Sequence, residues 1–334
     1  MRVPTPRGPV SAWLVAHLDP RMAPTRPAPS IPATADALTD DDLHLALWTC
    51  YELHYQGFDE VEDDSEWDPD VLALRRELER LFECGLRLAV GPVDVAPADV
   101  PAELARRTSA ESGPSLSRRL HRHADLAQFA EFVTHRSIYH LKEADPHTWA
   151  IPRLRGRAKA AMVEIQADEY GGGRLDRMHA TLFADLMRGV GLDTTYGAYV
   201  DDVPGVTLAT SNVMSLFGLH RRWRGAATGH LAAIEMTSSL PNRRYGQGLR
   251  RLGGSDATCT FFDEHIEADA VHEQIAAHDM CGSLAQDEPA LAADIVFGAA
   301  AGLLLDELFA AHVLTAWDAG SSSLRPVARL ARAA

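Results

Sequence analysis

From residue 39 onward, apolar side chains recur at three- and four-residue spacing in one segment after another, and runs alternating apolar with polar are nearly absent. Such a chain has helices to pack and little from which to build a sheet, so the predicted class is all-α. Thr39 to Asp42 supply capping oxygens and first-turn acids, after which Leu43, Leu47, Cys50, Tyr51 and His54 define a first helix up to Gly57. A second is expected over 71–82, a short piece over 102–107 after three prolines, and a long helix over 116–143 that Asp145-Pro146 stops. Further helices are expected over 154–170, 175–190, 211–238, 243–252, 260–279 and 288–317, punctuated by the glycines at 171–173 and by Pro241. The acidic stretch 59–70 reads as a solvated loop. Residues 1–38 hold 8 of the 19 prolines and are expected to form a flexible tail, with Trp13, Leu14, Val15 and Leu18 able to make one docking turn. The helical domain then spans 39–320, and 321–334 forms a second flexible tail.

Charge narrows the partners. With 32 Lys and Arg against 47 Asp and Glu, the formal net charge is −15, so no basic face is expected to meet the phosphates of a nucleic acid. The longest nearly unbroken apolar run, 295–305, is well short of the roughly 18 residues of a membrane span. The four cysteines are far apart, form no CxxC pair and follow no secretory leader, which is the pattern of reduced thiols in a cytoplasmic protein. The unusual count is 15 histidines. Imidazole and carboxylate together are the ligands that iron, manganese and zinc use.

The sharpest local pattern is F-F-D-E-H-I-E-A-D-A-V-H-E at 261–273. At about 100° per residue, His265, Asp269 and His272 sit at about 0°, 40° and −20°, so two imidazoles and a carboxylate leave one narrow face of a helix. His179 is a further candidate, as are Glu164, Asp168 and Glu169 before the glycine triplet. Glu235, in A-A-I-E-M, has small and apolar neighbours that imply burial, and a cation would offset the cost of burying it. On a straight helix Glu169 and His179 would lie ~15 Å apart with an angular offset of ~80°, so they meet only if the chain bends at 171–173. Asp176, three residues before His179, is the simpler geometric partner.

The order Glu169, His179, Glu235, His265, Asp269, His272 resembles the ligand signature of the heme-oxygenase-like diiron oxidases, a group of iron-containing redox enzymes. The likeness extends to E-L-H-Y-Q-G-F at 52–58, H-L-K-E-A-D-P-H-T-W-A-I-P at 140–152 and D-E-Y-G-G-G at 168–173, and so to about residues 40–318. It implies a heme-oxygenase-like helical bundle without heme, holding two non-heme irons that activate O₂ with electrons from an external reductant. It also selects Glu169 over Asp176. A ferritin-like bundle is the nearest rival, but such sites use E-x-x-H twice and this chain has no E-x-x-H.

Glu143 ends the long predicted helix, where the macrodipole disfavours an anion by ~0.3–1 kcal/mol unless a cation is near. In the resembling family, the branch that oxygenates nitrogen carries an extra carboxylate ligand from this region, and Glu143 in L-K-E-A-D-P is similar to it. The expectation is therefore a cytoplasmic N-oxygenase of specialised metabolism acting on a small amine or guanidine-type metabolite, with Glu143 both ligand and catalytic residue. The alternative keeps the site and changes the chemistry to C–C cleavage or desaturation of an amino acid or fatty acid. Arg136, Tyr139 and Lys142 lie on the segment leading to Glu143 and are candidates for substrate contact, with Glu52 and His54 as more distant supports. Partners would be a small-molecule substrate and an electron donor, and a homodimer stays open as the assembly.

Overall fold

A computed structural model describes residues 1–22, 28, 29, 31, 36–109 and 115–326, except the side chains of 267–271. Among the described residues there is no strand. The first half of the bundle comprises α1 (Pro9–Leu18), α2 (Asp41–Glu52), α3 (Pro69–Val90), α4 (Val100–Thr108), α5 (Leu116–Arg122), α6 (Leu126–His140) and α7 (Asp145–Thr148). There follow α8 (Gly156–Glu169), α9 (His179–Gly189), α10 (Gly205–Leu219), α11 (Arg224–Arg251), α12 (Asp256–Gln274), α13 (Ser283–Asp287) and α14 (Ala292–Asp318). No helix among the described residues is long and apolar enough to cross a membrane.

Helix α11 is the central element, packed against α14, α12 and α5. Its crossing with α14 is a backbone contact. A methyl group at Gly229 would overlap the Ile295 carbonyl oxygen, and one at Gly298 would overlap that of Ala226. Gly229→Ala is therefore expected to push α11 off α14 and destabilise the protein by about 1–3 kcal/mol, read as a lower Tm in thermal unfolding. A wild-type Tm would disprove the tight crossing.

Two expectations about the ends are corrected. Residues 9–18 are not part of a flexible tail but a helix, α1, with Val10, Leu14 and Leu18 buried against the bundle. The docking turn expected at Trp13–Leu18 is part of this helix; the proline count, averaged over 38 residues, hid the proline-free stretch 10–19, which Pro9 leads at the favoured first helical position. The Asp42 carboxylate of α2 accepts the amide hydrogens of Val10 (2.9 Å) and Ser11 (2.8 Å), which caps α1 and docks it. At the other end, 321–326 are held in place. The Glu131 carboxylate accepts bonds from Ser322 Oγ (2.7 Å) and Ser323 N (2.6 Å), and Arg325 reaches Asp41 at 3.0 Å. These partners lie far off in sequence, where local composition gives no sign of them. Residues 327–334 lie outside the described residues.

Helix boundaries also shift. The long 116–143 helix is two, because Asp125 caps the second through Gln128 N (2.8 Å) with Gln128 returning the bond, a capping box that starts α6 afresh. The predicted 211–238 helix is divided at 220–223, and its second part runs on through Pro241 to Arg251. Burial of α11 along most of its length outweighs the roughly 3 kcal/mol that an internal proline costs. Past α12 the chain continues as a π-helical stretch, Ile275–Gly282, packed against α8.

Candidate metal centre

The predicted site residues come from five separate places. Glu143 lies not at the end of a long helix but in the turn between α6 and α7; Glu169 is the last residue of α8; His179 is the first of α9; Glu235 is on α11; His265 and His272 are on α12. All six are buried. The bend required between Glu169 and His179 is where the glycines are. Gly171, Gly172 and Gly173 have φ of 64°, 60° and 79°, in the left-handed region that glycine adopts freely, and they turn the chain so that Glu169 Oε2 lies 3.0 Å from His179 Nδ1. Asp176 is exposed and pairs with Arg174 at 3.1 Å, outside the site.

One ligand atom from each of Glu143, His179 and His265 lies within 4.8 Å of the other two. His265 Nδ1–H donates to the Phe261 carbonyl at 2.7 Å, which leaves Nε2 as the acceptor nitrogen facing Glu143 Oε1 at 3.6 Å. Beside this group, His272 Nδ1 lies 3.3 Å from Glu235 Oε2, while its Nε2 bonds the Asp168 carboxylate at 2.9 Å. Glu143, Glu169, Glu235 and His265 all line one cavity of about 50 Å³, which joins the two groups. The side chain of Asp269, one turn from both α12 histidines, lies outside the described residues.

Burial would push the Glu143 carboxyl up, but the imidazoles of His140 (2.6 Å) and His265 hold it well below the usual carboxylate range. Burial likewise opposes a proton on His179, yet Glu169 raises it. On His272 burial is again overridden, here by Glu235 and Asp168, and the imidazole is lifted to about 9. Glu143 Oε2 is buried with no hydrogen-bond partner, and the contacts of His179 Nδ1 with Glu169 (3.0 Å) and of His272 Nδ1 with Glu235 (3.3 Å) lack good hydrogen-bond geometry. Native interiors rarely leave a carboxylate oxygen orphaned, and an unpartnered Glu143 Oε2 in a cavity lined by three carboxylates, with two imidazole–carboxylate contacts at its edge, fits cation binding. Mixed imidazole and carboxylate donors suit iron. The residues present fit the metal.

This protonation pattern sets a pH dependence. With the His272 imidazole lifted to about 9, a metal bound there would displace its proton at pH 7, so uptake is expected to release a proton and affinity to rise with pH toward 9. In the metal-free protein the sign is opposite: the contribution of protonated His272 is fully present below about 6.5 and lost as pH rises through about 9. Calorimetry in buffers of different ionisation enthalpy measures the proton; a buffer-independent heat at pH 7 would refute the arrangement.

Three supporting residues have roles that sequence reasoning did not assign. Asp168 orients His272, His140 bonds Glu143, and Gln166 lines the metal cavity. The His140–Glu143 spacing in H-L-K-E was a readable signal. Of the proposed substrate contacts, Lys142 is instead buried against Glu52 at 2.8 Å, over the Tyr55 ring; His54, expected as a more distant support, pairs with Glu66 at 2.9 Å.

The stretch of chain that carries these residues resembles known proteins. A family described as iron-containing redox enzyme matches residues 130–307, just over half of the chain and every candidate ligand from Glu143 to His272. Nitrosourea synthase from Streptomyces achromogenes subsp. streptozoticus is similar, 30% identical over 138 residues, or 41% of this chain. The match spans 29% of that enzyme's own length.

Proposed function

The chain belongs to the iron-containing redox enzyme family, and on that premise we propose that it is an O₂-dependent diiron N-oxygenase of a small amine or guanidine-type metabolite. The single observation carrying this reading is the convergence of Glu143, His179 and His265, with Glu169 at their edge, Glu235 and His272 beside them, and a cavity lined by Glu143, Glu169, Glu235 and His265. Glu143, Glu169, His179 and His265 would hold one iron, and Glu235 and His272, with Asp269 on the same helix, the other. Bound there, the irons would activate O₂, and the net conversion of R–NH₂, O₂, two electrons and two protons gives R–NHOH and water.

The rest falls to the chain. Asp168 and the Phe261 carbonyl fix the ring orientations of His272 and His265. His140 steadies Glu143 Oε1, the oxygen that faces His265, and Glu143 Oε2 is left buried without a hydrogen-bond partner. Nitrogen as the oxygen acceptor is favoured by Glu143 itself, a third carboxylate inside the group, and by the similarity to nitrosourea synthase.

Anaerobic loading with Fe(II), followed by metal analysis and O₂ uptake with a reductant, tests the proposal. Two irons per chain are expected in the wild type, and fewer in His265→Ala and His272→Ala. Iron content unchanged by both substitutions, or no O₂ uptake with any amine or guanidine offered, would overturn it.

A further inference from the structure

Beside the metal cavity lies a second of about 170 Å³, and Tyr139, His140, Ile234, Ser238 and Asn242 line both. Its walls are otherwise mostly aromatic and aliphatic, among them Phe132, Phe183, Met214 and Phe261. This cavity in turn meets a broad surface groove of about 700 Å³. Arg136, Thr237, Pro241, Tyr245, Leu303 and Asp306 line both spaces and so stand where the two adjoin, at what would be the neck of an entry route. Among the described residues, none lines both the groove and the metal cavity, which puts the three spaces in series: groove, aromatic cavity, metal cavity.

The charge along this route runs against that of the whole chain. The protein carries −15, yet among the described residues the groove presents Arg106, Arg107, Arg118, Arg136 and Arg244 against Asp306 and Glu307. Arg106 and Arg107 share Glu103, each at 2.7 Å. At the neck, Arg136 lies over the Phe309 ring at 4.6 Å and touches Asp306 through one nitrogen at 2.7 Å. The arginine side chain is only 18% exposed and the aspartate 57%, so the cation is held within the neck while its partner faces water. A nearly dry guanidinium is a strong and planar receptor for a carboxylate. The adjoining Asp306 favours a monoanion over a dianion by simple repulsion.

We propose that substrate enters through this groove and is anchored at the neck by Arg136 through a carboxylate, with its apolar or aromatic middle in the second cavity. The reacting nitrogen then lies at the wall formed by Tyr139 and His140. This assignment rests on the N-oxygenase reading and narrows it to amines or guanidines that carry a carboxylate at the far end of an apolar spacer.

The test uses iron-free full-length protein and two probes of equal shape, 4-phenylbutanoate and 4-phenylbutanamide, titrated by ligand-observed NMR. The wild type is expected to prefer the carboxylate by about tenfold or more, and salt to weaken that preference. Arg136→Met is expected to erase the preference, and Asp306→Asn to strengthen it several-fold by leaving Arg136 unopposed. Should Arg136→Met fail to fold, Asp306→Asn decides alone, since that side chain is mostly in water. Equal binding of the two probes, no binding of either at millimolar concentration, or weaker carboxylate binding in Asp306→Asn would overturn the assignment. Because no iron takes part, these outcomes are separate from failure of the diiron reading, which iron content and O₂ uptake report.

Discussion

Gly171→Ala is expected to strip the protein of most of its iron while sparing nearly all of its helix. The φ of 64° costs an L-residue about 1–2 kcal/mol, and that strain is the smaller part. The added methyl would lie 2.5 Å from the Arg177 carbonyl carbon and 2.6 Å from Met178 N, both backbone atoms that must move. They directly precede His179, whose Nδ1 sits 3.0 Å from Glu169, and metal ligands tolerate displacements of only about 0.5 Å. Gly172→Ala is the control: its φ of 60° brings comparable strain, but nothing lies within 4 Å of the new methyl. Circular dichroism and iron content of both variants measure the difference. If Gly171→Ala holds as much iron as Gly172→Ala, the loop does not position His179 as described.

Glu143→Gln is expected to leave one iron of two. The amide keeps the volume and removes the charge, so the group of Glu143, His179 and His265 loses the anion that faces both His140 and His265. Affinity there should fall by at least about 100-fold, beyond the range seen when only a supporting residue is lost. His272 and Glu235, with Asp168 behind them, keep their own contacts. Metal analysis after loading with limiting Fe(II) separates the sites, and a variant still holding two irons would remove Glu143 from the ligand set.

Part of this organisation is written in the sequence at short range. The face shared by His265 and His272 follows from helical spacing alone, and the glycines at 171–173 mark the one place where Glu169 and His179 could be brought together. The break before α6 was equally legible in D-L-A-Q, where Asp125 and Gln128 form the capping box, but the helical periodicity of 116–143 masked it. What spacing cannot supply is contact between distant segments. Asp168 meets His272 across 104 residues, and Glu131 fastens 322–323 across more than 190. The neck at Arg136 and Asp306 spans 170 residues and has no local signature.

The pairing of Lys142 with Glu52 bears on when the site is assembled. Both are almost wholly removed from water, and breaking such a pair costs about 3–5 kcal/mol because it strands a buried charge. Lys142 is the immediate neighbour of Glu143, so the pair moors the very turn that presents the carboxylate. Backbone amides in this turn should then exchange with deuterium only on global opening, even without metal. The entropy of ordering that carboxylate is borne by folding rather than by binding, and an arriving iron would meet it already in position.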